Sequence, residues 1–325
     1  MCTAITYQGK NLYFGRTLDY DISYEEEVTV MPRNFPLTFR EKDPWKQHYA
    51  LIGMAHVAQG YPLYFDAVNE KGLAMAGLNF PGNACYRKPM PGTDNIASFE
   101  LIPWLLAQCA TVTEAEILLS RLNLTDTAFS PELLPSDLHW LMADRNRSVT
   151  IESTREGLRV YENPLGVLTN NPPFPQQLNH LNNYMHLSPL EPKNLFSEEL
   201  DLKPYSRGMG ALGLPGDLSS QSRFVRAAFT KLNALPCDTE AESVSQFFHI
   251  LGTVAQTEGC CRLENGACEK TLYTSCCNVS KGIYYYTTYN NRQITGIRMG
   301  REALEGTSLL RYPLVRQEQI RMENA

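Results

Sequence analysis

The sequence predicts an α+β fold in which antiparallel sheets lie between layers of helices, a four-layer αββα sandwich. Strand-like alternation occurs at both ends of the chain, and helical patterns occur in pairs between runs of strands. Because helices and strands are segregated along the chain, the helices are expected to cover the outer faces of antiparallel sheets. No internal repeat, low-complexity segment or flexible linker interrupts the pattern, so residues 1–325 are predicted to form one domain.

Two hairpins and then two helices are predicted in the first half of the chain. Alternation around short polar turns predicts these hairpin strands: Thr3–Tyr7 with Leu12–Arg16, and Tyr61–Asn69 with Leu73–Asn79. The helices are expected at Ser98–Ala110 and Thr113–Leu122. The second helix is expected to begin with a capping box, because Thr113 is followed three residues later by Glu116.

The second half predicts a meander, several helices and a final group of strands. The meander strands are His139–Ala143, Ser148–Ser153 and Leu158–Glu162, continuing into Gly166–Asn170. The helices are predicted near Gln176–Tyr184, Gln221–Asn233 and Glu240–Val254. The final strands are predicted near Leu272–Cys277, Ile283–Thr288 and Gln293–Met299. This order places strands at both ends of the chain.

Composition excludes several functional classes. The chain has 325 residues, of which 43% are hydrophobic and 20% are charged, so a sizeable core is expected. Its formal net charge is -6 and its basic residues are scattered, so a nucleic-acid partner is not predicted. The first 25 residues lack the pattern of a signal peptide, and no segment has the length of a membrane span. We therefore expect a cytoplasmic protein without membrane association.

The nine cysteines predict free thiols rather than a disulfide framework in an unexported chain. Five of them cluster between Cys260 and Cys277, without the C-x-x-C spacing of a typical zinc site. The six histidines also show no metal spacing. Neither a metal nor a cofactor is predicted. A metal- or redox-responsive protein built on this cluster remains the alternative of a different class.

The most informative residue is Cys2. It precedes the alternating run from Thr3 to Tyr7, so removal of Met1 leaves a thiol at the start of a strand. An α-amino group titrates at roughly 7.7–8.0 and a thiol at about 8.5, so the terminal amine is a suitable base for the thiol beside it. A terminal cysteine therefore carries both a nucleophile and its general base.

Several separated motifs resemble the choloylglycine hydrolase family of N-terminal-nucleophile hydrolases. In chain order they are Cys2–Ala4, Phe14–Asp19, Asn69–Leu73, Ala76–Pro81, Gly166–Pro172, Gly213–Asp217, Ser222–Phe224 and Lys281–Tyr286. The resemblance runs from Cys2 to about Met299. Leu214–Asp217 and Gly282–Tyr286 look most like bacterial conjugated bile salt hydrolases, and the related penicillin V acylase is the alternative. The fold implied is that of the N-terminal-nucleophile hydrolases.

The resemblance implies the catalytic roles. Cys2 is expected to attack an amide carbonyl and form a thioester acyl-enzyme, with its own amine as base. Arg16 matches the family arginine beside the thiol, where a positive charge favours the thiolate. Asp19 matches the acid that orients the terminal amine by accepting its hydrogen bonds. Arg223 matches an arginine that supports the nucleophile by charge and hydrogen bonding.

Two asparagines match the oxyanion-hole positions of the family. Asn79 is expected to donate from its backbone and Asn170 from its side-chain amide. Each of them, and the neighbouring Asn171, is by its own local sequence an ordinary turn residue. Their assignment therefore depends on the resemblance.

The implied substrate is a bile salt conjugated to glycine or taurine, whose steroid requires a wide apolar pocket. Residues in loops and strands near the nucleophile are the candidate contacts: Tyr20, Tyr24, Phe65 and Leu134, with Tyr64 and Leu133 beside them. The resemblance also implies a homo-oligomer, specifically a tetramer. A noncatalytic protein on this scaffold is expected to lose Cys2 or both asparagines, and this chain keeps them.

Overall fold

The structure, a computed structural model, describes residues 1–324 as seventeen strands and five α-helices. The strands are β1 (Cys2–Gln8), β2 (Leu12–Tyr20), β3 (Glu27–Met31), β4 (Leu51–Ala58), β5 (Tyr61–Asn69), β6 (Ala74–Asn79), β7 (Asp94–Ala97), β8 (Leu122–Thr125), β9 (Leu138–Ala143), β10 (Ser148–Thr154), β11 (Gly157–Glu162), β12 (Val167–Leu168), β13 (Cys261–Arg262), β14 (Cys268–Asn278), β15 (Ile283–Thr288), β16 (Asn291–Arg298) and β17 (Leu310–Pro313). The α-helices are α1 (Leu101–Leu106), α2 (Val112–Leu119), α3 (Phe174–His180), α4 (Ser220–Asn233) and α5 (Glu240–Gly252).

Two large antiparallel sheets organise the molecule. The first has the strand order β12-β1-β2-β14-β15-β16, with β13 paired to β14. The second has the order β11-β10-β9-β6-β5-β4-β3-β17. The β1–β2 hairpin therefore lies inside the first sheet and the β5–β6 hairpin inside the second. The predicted meander forms β9, β10 and β11.

Apolar side chains join the layers in two clusters. One cluster contains residues of both sheets together with α4 and α5, including Phe14, Ile52, Phe224 and Phe247. The other packs α1 and α2 against the second sheet and includes the buried side chain of Trp104. The order of layers is therefore helices, second sheet, first sheet, helices, which confirms the predicted α+β sandwich.

Three helices differ from their predicted limits. The helix predicted near Gln176–Tyr184 is α3, which begins at Phe174 and ends at His180, and a 3₁₀ turn follows at Leu181–Tyr184. The segment predicted as helix at Ser98–Ala110 begins with a 3₁₀ turn at Ser98–Glu100, and α1 ends at Leu106. The predicted capping box at Thr113 is wrong because Thr111 is the N-cap, with its side chain accepting from the Glu114 backbone nitrogen. The Glu114 carboxylate accepts from the Ala110 nitrogen, which moves the cap two residues earlier.

Several strands extend or add to the prediction. Strand β2 continues to Tyr20 instead of ending at Arg16, because it pairs with β14 as far as Lys270. Asp19 therefore lies within a strand and not in a turn. Six further strands were not predicted from the sequence: β3, β4, β7, β8, β13 and β17. Among residues 1–324, no helix has both the length and the apolar character needed to cross a membrane.

Candidate active site

A largely apolar pocket lies where residues of the two sheets meet. It encloses about 960 Å³, including space open to solvent. The residues lining it are Cys2, Arg16, Leu18, Tyr20, Tyr24, His56, Leu63, Tyr64, Phe65, Gly77, Asn79, Ser98, Phe99, Phe129, Leu133, Leu134, Pro135, Ser136 and Leu138. A largely apolar lining with a few polar side chains is typical of sites for small molecules.

Cys2 is the first residue of β1, is buried and lines the pocket. Its backbone nitrogen donates to Asn170 Oδ1 at 2.9 Å. Its thiol sulfur accepts from Nη2 of Arg16. The β1–β2 pairing places Cys2 opposite Leu18 and Ala4 opposite Arg16, so Arg16 is a diagonal neighbour of Cys2 on one face of the hairpin.

Arg16 is a fully buried cation in the middle of β2, and not at the open end of a strand as the sequence predicted. Its guanidinium donates to the main-chain carbonyls of Thr17 and Phe65 at 3.2 and 3.3 Å, and also to that of Gly77. Burial alone lowers the pKa of Arg16, but the neighbouring charges of Cys2, Tyr273 and Asp66 raise it above its ordinary value overall. The guanidinium therefore stays charged beside the sulfur.

Asp19 is buried and makes different contacts from those expected. Its carboxylate accepts from the Thr271 hydroxyl at 2.6 Å and from the Thr17 hydroxyl at 3.1 Å. The Met1 ammonium contacts the main-chain carbonyl of Asp19, and it lies 3.4 Å from the Glu269 carboxylate. In the chain that retains Met1, the Asp19 carboxylate is therefore held by hydroxyls rather than by the terminal amine.

Asn79 and Asn170, which lie 91 positions apart in the sequence, are in direct contact. The Asn170 side-chain Nδ2 donates to the Asn79 carbonyl at 2.8 Å. The Asn170 backbone is fixed by Ser220 Oγ, which accepts from its nitrogen at 2.8 Å, and by Gln177, which donates to its carbonyl. Asn79 ends β6 and lines the pocket. Asn171 points elsewhere, because its amide donates to Pro81.

Arg223, in the first turn of α4, joins β1 to the Asn170 segment, by which we mean residues 169–174. Its guanidinium donates to the Cys2 carbonyl at 2.5 Å, to Thr3 Oγ1 at 2.7 Å and to Asn170 Oδ1 at 2.7 Å. Burial lowers the pKa of Arg223, and the charges of Asp19 and Cys2 oppose that shift. The structure therefore links five of the six predicted catalytic residues by direct contacts, whereas the carboxylate of the sixth, Asp19, contacts Thr17 and Thr271.

The predicted substrate contacts all line the same pocket. Tyr20 and Tyr24 pack with ring centroids 5.5 Å apart, and Tyr24 lies 5.8 Å from Phe65. Leu134 is 70% exposed at the pocket wall. The sequence reading missed Phe99 and Phe129, which pack edge to face at 5.3 Å and complete the aromatic wall. Phe129 lies in the same loop as Leu134, which the sequence did predict to line the pocket. Its position in that loop could therefore have identified it.

The cysteine cluster does not assemble into a recognisable metal site within residues 1–324, where no group of three or more His, Cys, Asp or Glu side chains has a metal-binding arrangement. Cys276 and Cys277 are buried in β14, whereas Cys260 is exposed. Burial raises the pKa of the Cys276 and Cys277 thiols well above the ordinary value.

Comparison with known proteins identifies the family. Residues 2–312 match the linear amide C–N hydrolases of the choloylglycine hydrolase family. The chain belongs to the choloylglycine hydrolase family. It is therefore an amidohydrolase of the type that acts on linear amides, as the sequence motifs predicted.

Curated relatives and solved structures cover nearly the whole chain. A bile salt hydrolase/transferase of Lactiplantibacillus plantarum is 57% identical over 314 residues, covering 97% of each protein. One of Clostridium perfringens is 36% identical over 317 residues, covering 96% of each. A crystal structure of conjugated bile acid hydrolase from Clostridium perfringens matches with a TM-score of 0.93 at 35% identity, over 100% of both chains. Penicillin V acylase from Agrobacterium tumefaciens matches at 0.77 with 20% identity, covering 97% of this chain and 92% of the other, so it supports the fold alone.

Proposed function

We propose that this enzyme hydrolyses the amide bond of bile salts conjugated to glycine or taurine, with Cys2 as nucleophile. The observation that carries the proposal is a thiol contacted by a buried arginine in the lining of a large apolar pocket. The pocket has the largely apolar lining that a rigid steroid requires, and the relatives at 57% and 36% identity are named bile salt hydrolase/transferases. A conjugated bile salt supplies both an apolar body and a linear amide.

Removal of Met1, which occurs once and before the first turnover, converts the Cys2 peptide nitrogen into a free amine. That nitrogen donates to Asn170 Oδ1, an arrangement that keeps its lone pair available to the thiol. Sγ attacks the amide carbonyl while the amine takes the thiol proton. The C–N bond then breaks, the departing glycine or taurine receives that proton, and a thioester remains. Water, deprotonated by the same amine, releases the bile acid and restores the thiol.

The charge that develops on the substrate carbonyl oxygen requires hydrogen-bond donors near Cys2. We propose Asn170 Nδ2 and the Asn79 backbone for this role. The Asn79 carbonyl occupies one of the two Asn170 amide hydrogens, which leaves the other for the oxyanion. Arg223 holds Asn170 Oδ1 and thereby fixes the direction in which the amide donates. Asp19 is proposed to orient the new terminal amine, since its main chain already contacts the residue before Cys2.

Met1 removal and thiol reactivity test the nucleophile. Intact-mass measurement is expected to show the active protein lighter by one methionine, and alkylation of Cys2 is expected to abolish activity in proportion to its occupancy. Full turnover by a chain that retains Met1 would contradict the terminal-amine mechanism. Peptide mapping identifies the alkylated residue and distinguishes Cys2 from exposed thiols such as Cys260.

Substrate class is tested by parallel hydrolysis of glycocholate, taurocholate and penicillin V. We expect a higher kcat/KM for the bile salts, because discrimination reflects differential binding of the transition state in the acyl pocket. The reverse ranking would make the enzyme a penicillin V acylase with the same chemistry. Activity on neither substrate class would refute the assignment of the acyl pocket while leaving the nucleophile test independent.

Acyl transfer to an amine is a second activity that the same thioester supports, and the two relatives carry transferase in their names. An amine attacking the thioester forms an amide in place of the free acid. Incubation of bile acid conjugates with a second amino acid and detection of the exchanged conjugate by mass spectrometry tests this activity. Formation of free acid alone at every amine concentration would limit the enzyme to hydrolysis.

A homo-oligomer, proposed as a tetramer, is supported by large apolar side chains exposed on the segment between α3 and α4. Large side chains are exposed there: Met185 at 81%, Leu195 at 92%, Phe196 at 83% and Tyr205 at 84%. Extended exposed apolar surfaces are typical of interaction sites. Light scattering is expected to give four times the chain mass, and a Leu195→Asp, Phe196→Asp variant a smaller species. A single-domain organisation and a cytoplasmic location stay predictions.

A further inference from the structure

His139, in β9 behind the oxyanion asparagines, is a buried histidine with hydrogen-bond acceptors at both ring nitrogens. Nε2 lies 2.9 Å from the Thr169 carbonyl, and Nδ1 lies 3.1 Å from Glu152 Oε1. A carbonyl only accepts, so Nε2 carries a hydrogen. The contact between Nδ1 and Glu152 then requires one proton, on the ring or on the carboxyl. The two side chains are 0% and 1% exposed, so solvent does not satisfy either group.

The two atoms that His139 and Glu152 hold belong to the Asn170 segment. Thr169, whose carbonyl accepts from His139, directly precedes Asn170. Glu152 Oε1 also accepts from the Phe174 nitrogen at 2.9 Å, at the start of the helix that follows Asn170. The pair therefore fixes the chain on both sides of Asn170 from behind.

The same imidazole also contacts the Asn79 segment. The Phe80 ring stacks on His139 with centroids 4.2 Å apart and an interplanar angle of 7°. Phe80 directly follows Asn79, and β6 pairs with β9 so that Leu78 lies opposite His139. One side chain thus touches the neighbours of both asparagines, Asn79 at the end of β6 and Asn170 in the loop after β12, which are joined by a hydrogen bond.

We propose that the His139–Glu152 pair is a positioning device that sets the spacing between the Asn79 and Asn170 donors. The inference rests on the proposed function, because it assigns both asparagines to the oxyanion hole. His139 and Glu152 do not line the pocket and act through Thr169 and Phe80. Loss of the pair releases the Asn170 segment on one side, and the donors lose their alignment to the developing charge.

His48 provides a matched control. It is 8% exposed, and its ring nitrogens face the carbonyls of Tyr49 and Phe35 at 2.8 and 2.9 Å. It lies in the connection between β3 and β4 and does not line the pocket. His48 and His139 are therefore similar in burial and in hydrogen bonding, and they differ in whether the bonded segment carries a proposed catalytic residue.

The experiment compares His139→Gln, Glu152→Gln and His48→Gln in the processed enzyme with glycocholate and taurocholate. We expect kcat to fall roughly tenfold to a hundredfold in His139→Gln, less than the ~10²–10³ typical of losing a donor outright, with KM within about twofold. Glu152→Gln retains an oxygen that accepts from Phe174, so an intermediate loss is expected. His48→Gln is expected to lower Tm without lowering kcat.

Alkylation of Cys2 by iodoacetamide separates this role from a general structural one, because alkylation forms no oxyanion. An unchanged alkylation rate together with a lowered kcat in His139→Gln or Glu152→Gln supports the proposal. The proposal is overturned if the alkylation rate falls in parallel with kcat, or if His48→Gln loses as much kcat as His139→Gln. If His139→Gln does not fold, the kcat and the alkylation rate of Glu152→Gln are sufficient to test the proposal. Wild-type enzyme inactive on bile salts would refute the proposed function instead, and the comparison is then made on whichever linear amide it cleaves.

Discussion

The nucleophile region and the acyl pocket are built in opposite ways although they share a surface. Around the nucleophile, Arg16 lies in a strand, Asn170 in the loop after β12 and Arg223 in the first turn of α4, and all three are buried and held by directional hydrogen bonds. Across the pocket, Tyr20, Tyr24 and Phe65 make tilted aromatic contacts and Leu134 is mostly exposed. One side is a network of buried polar groups, and the other is an apolar wall formed by residues of strands and loops.

The difference follows from what each side has to do. Bond breaking requires donors and nucleophile at defined distances, because a misplaced donor stabilises the transition state poorly. Steroid binding depends mainly on apolar area, which is not directional. Substitutions near Cys2 should therefore change kcat, and substitutions in the wall should change KM.

The largest effect is expected from Cys2→Ala, which removes the nucleophile. Activity should fall by roughly 10⁴-fold or more, while Tm stays close to that of the wild type because the side chain is small. Steady-state hydrolysis and thermal unfolding measure the two quantities. Cys260→Ala, at an exposed thiol, is the control and should keep full activity. Substantial turnover by Cys2→Ala would assign the chemistry to another group.

A smaller loss of activity is expected from Asn170→Ala than from Cys2→Ala. Removing the proposed oxyanion donor should lower kcat about a hundredfold with little change in KM, because the interaction strengthens only as charge develops. Asn170→Asp keeps the oxygen that accepts from Cys2 and Arg223 but removes the amide donor, so it separates the two roles. Asn171→Ala is the control, since its amide donates to Pro81. Unchanged kcat in Asn170→Ala would make Asn170 a turn residue.

In the acyl wall, Leu134→Ala should raise KM about tenfold and leave kcat nearly unchanged. The side chain is 70% exposed in the free enzyme, so a bound steroid would bury most of it. That burial contributes about 1.5 kcal/mol to the binding free energy. Initial rates over a range of glycocholate concentrations test this prediction. Ile117→Ala, at an exposed apolar position of α2 outside the pocket, is the control. A loss confined to kcat would show that the wall participates in alignment.

The smallest effect is expected in the pH dependence of stability that Lys231 causes. Its side chain contacts β1, the strand that begins with Cys2. Its ammonium donates to Thr6 Oγ1 at 2.9 Å, and burial lowers its pKa to about 8. Below pH 8 the folded protein carries the cost of a desolvated charge, and that cost declines as the pH rises toward the unfolded pKa. Between pH 7 and 9 the free energy of unfolding should therefore rise by about 1 kcal/mol relative to Lys231→Met. Urea unfolding of both proteins at each pH measures the difference, and an equal pH dependence in the two would contradict it.

Local patterns accounted for much of the fold. The first hairpin is encoded by alternation around the turn Gln8–Asn11, and its register is sufficient to place Arg16 diagonally opposite Cys2. The predicted meander likewise places His139 near Glu152, because Trp140 pairs with Ile151. A polar pair facing each other across two predicted strands was therefore a detectable signal for the positioning device.

Other elements could not be read from local pattern. Strand β4 is apolar on both faces, so it lacks the alternation that identifies half-buried strands. Glu114 and Thr111 cap α2 because the chain enters that helix two residues earlier than the Thr113 pattern suggested. In both places several conformations satisfy the local sequence, and packing against the rest of the protein selects one.

The sequence by itself determined the alternating strands, the segregation of helices from strands, and a thiol at the start of the first strand. Only the tertiary structure decided that Asn79, Asn170 and Arg223 meet around that thiol. The physical reason is that an alternating apolar pattern specifies which face of a strand is buried but not which partner covers it. Partners are selected when distant buried polar groups satisfy one another, as Asn170 does with Cys2, Asn79 and Arg223.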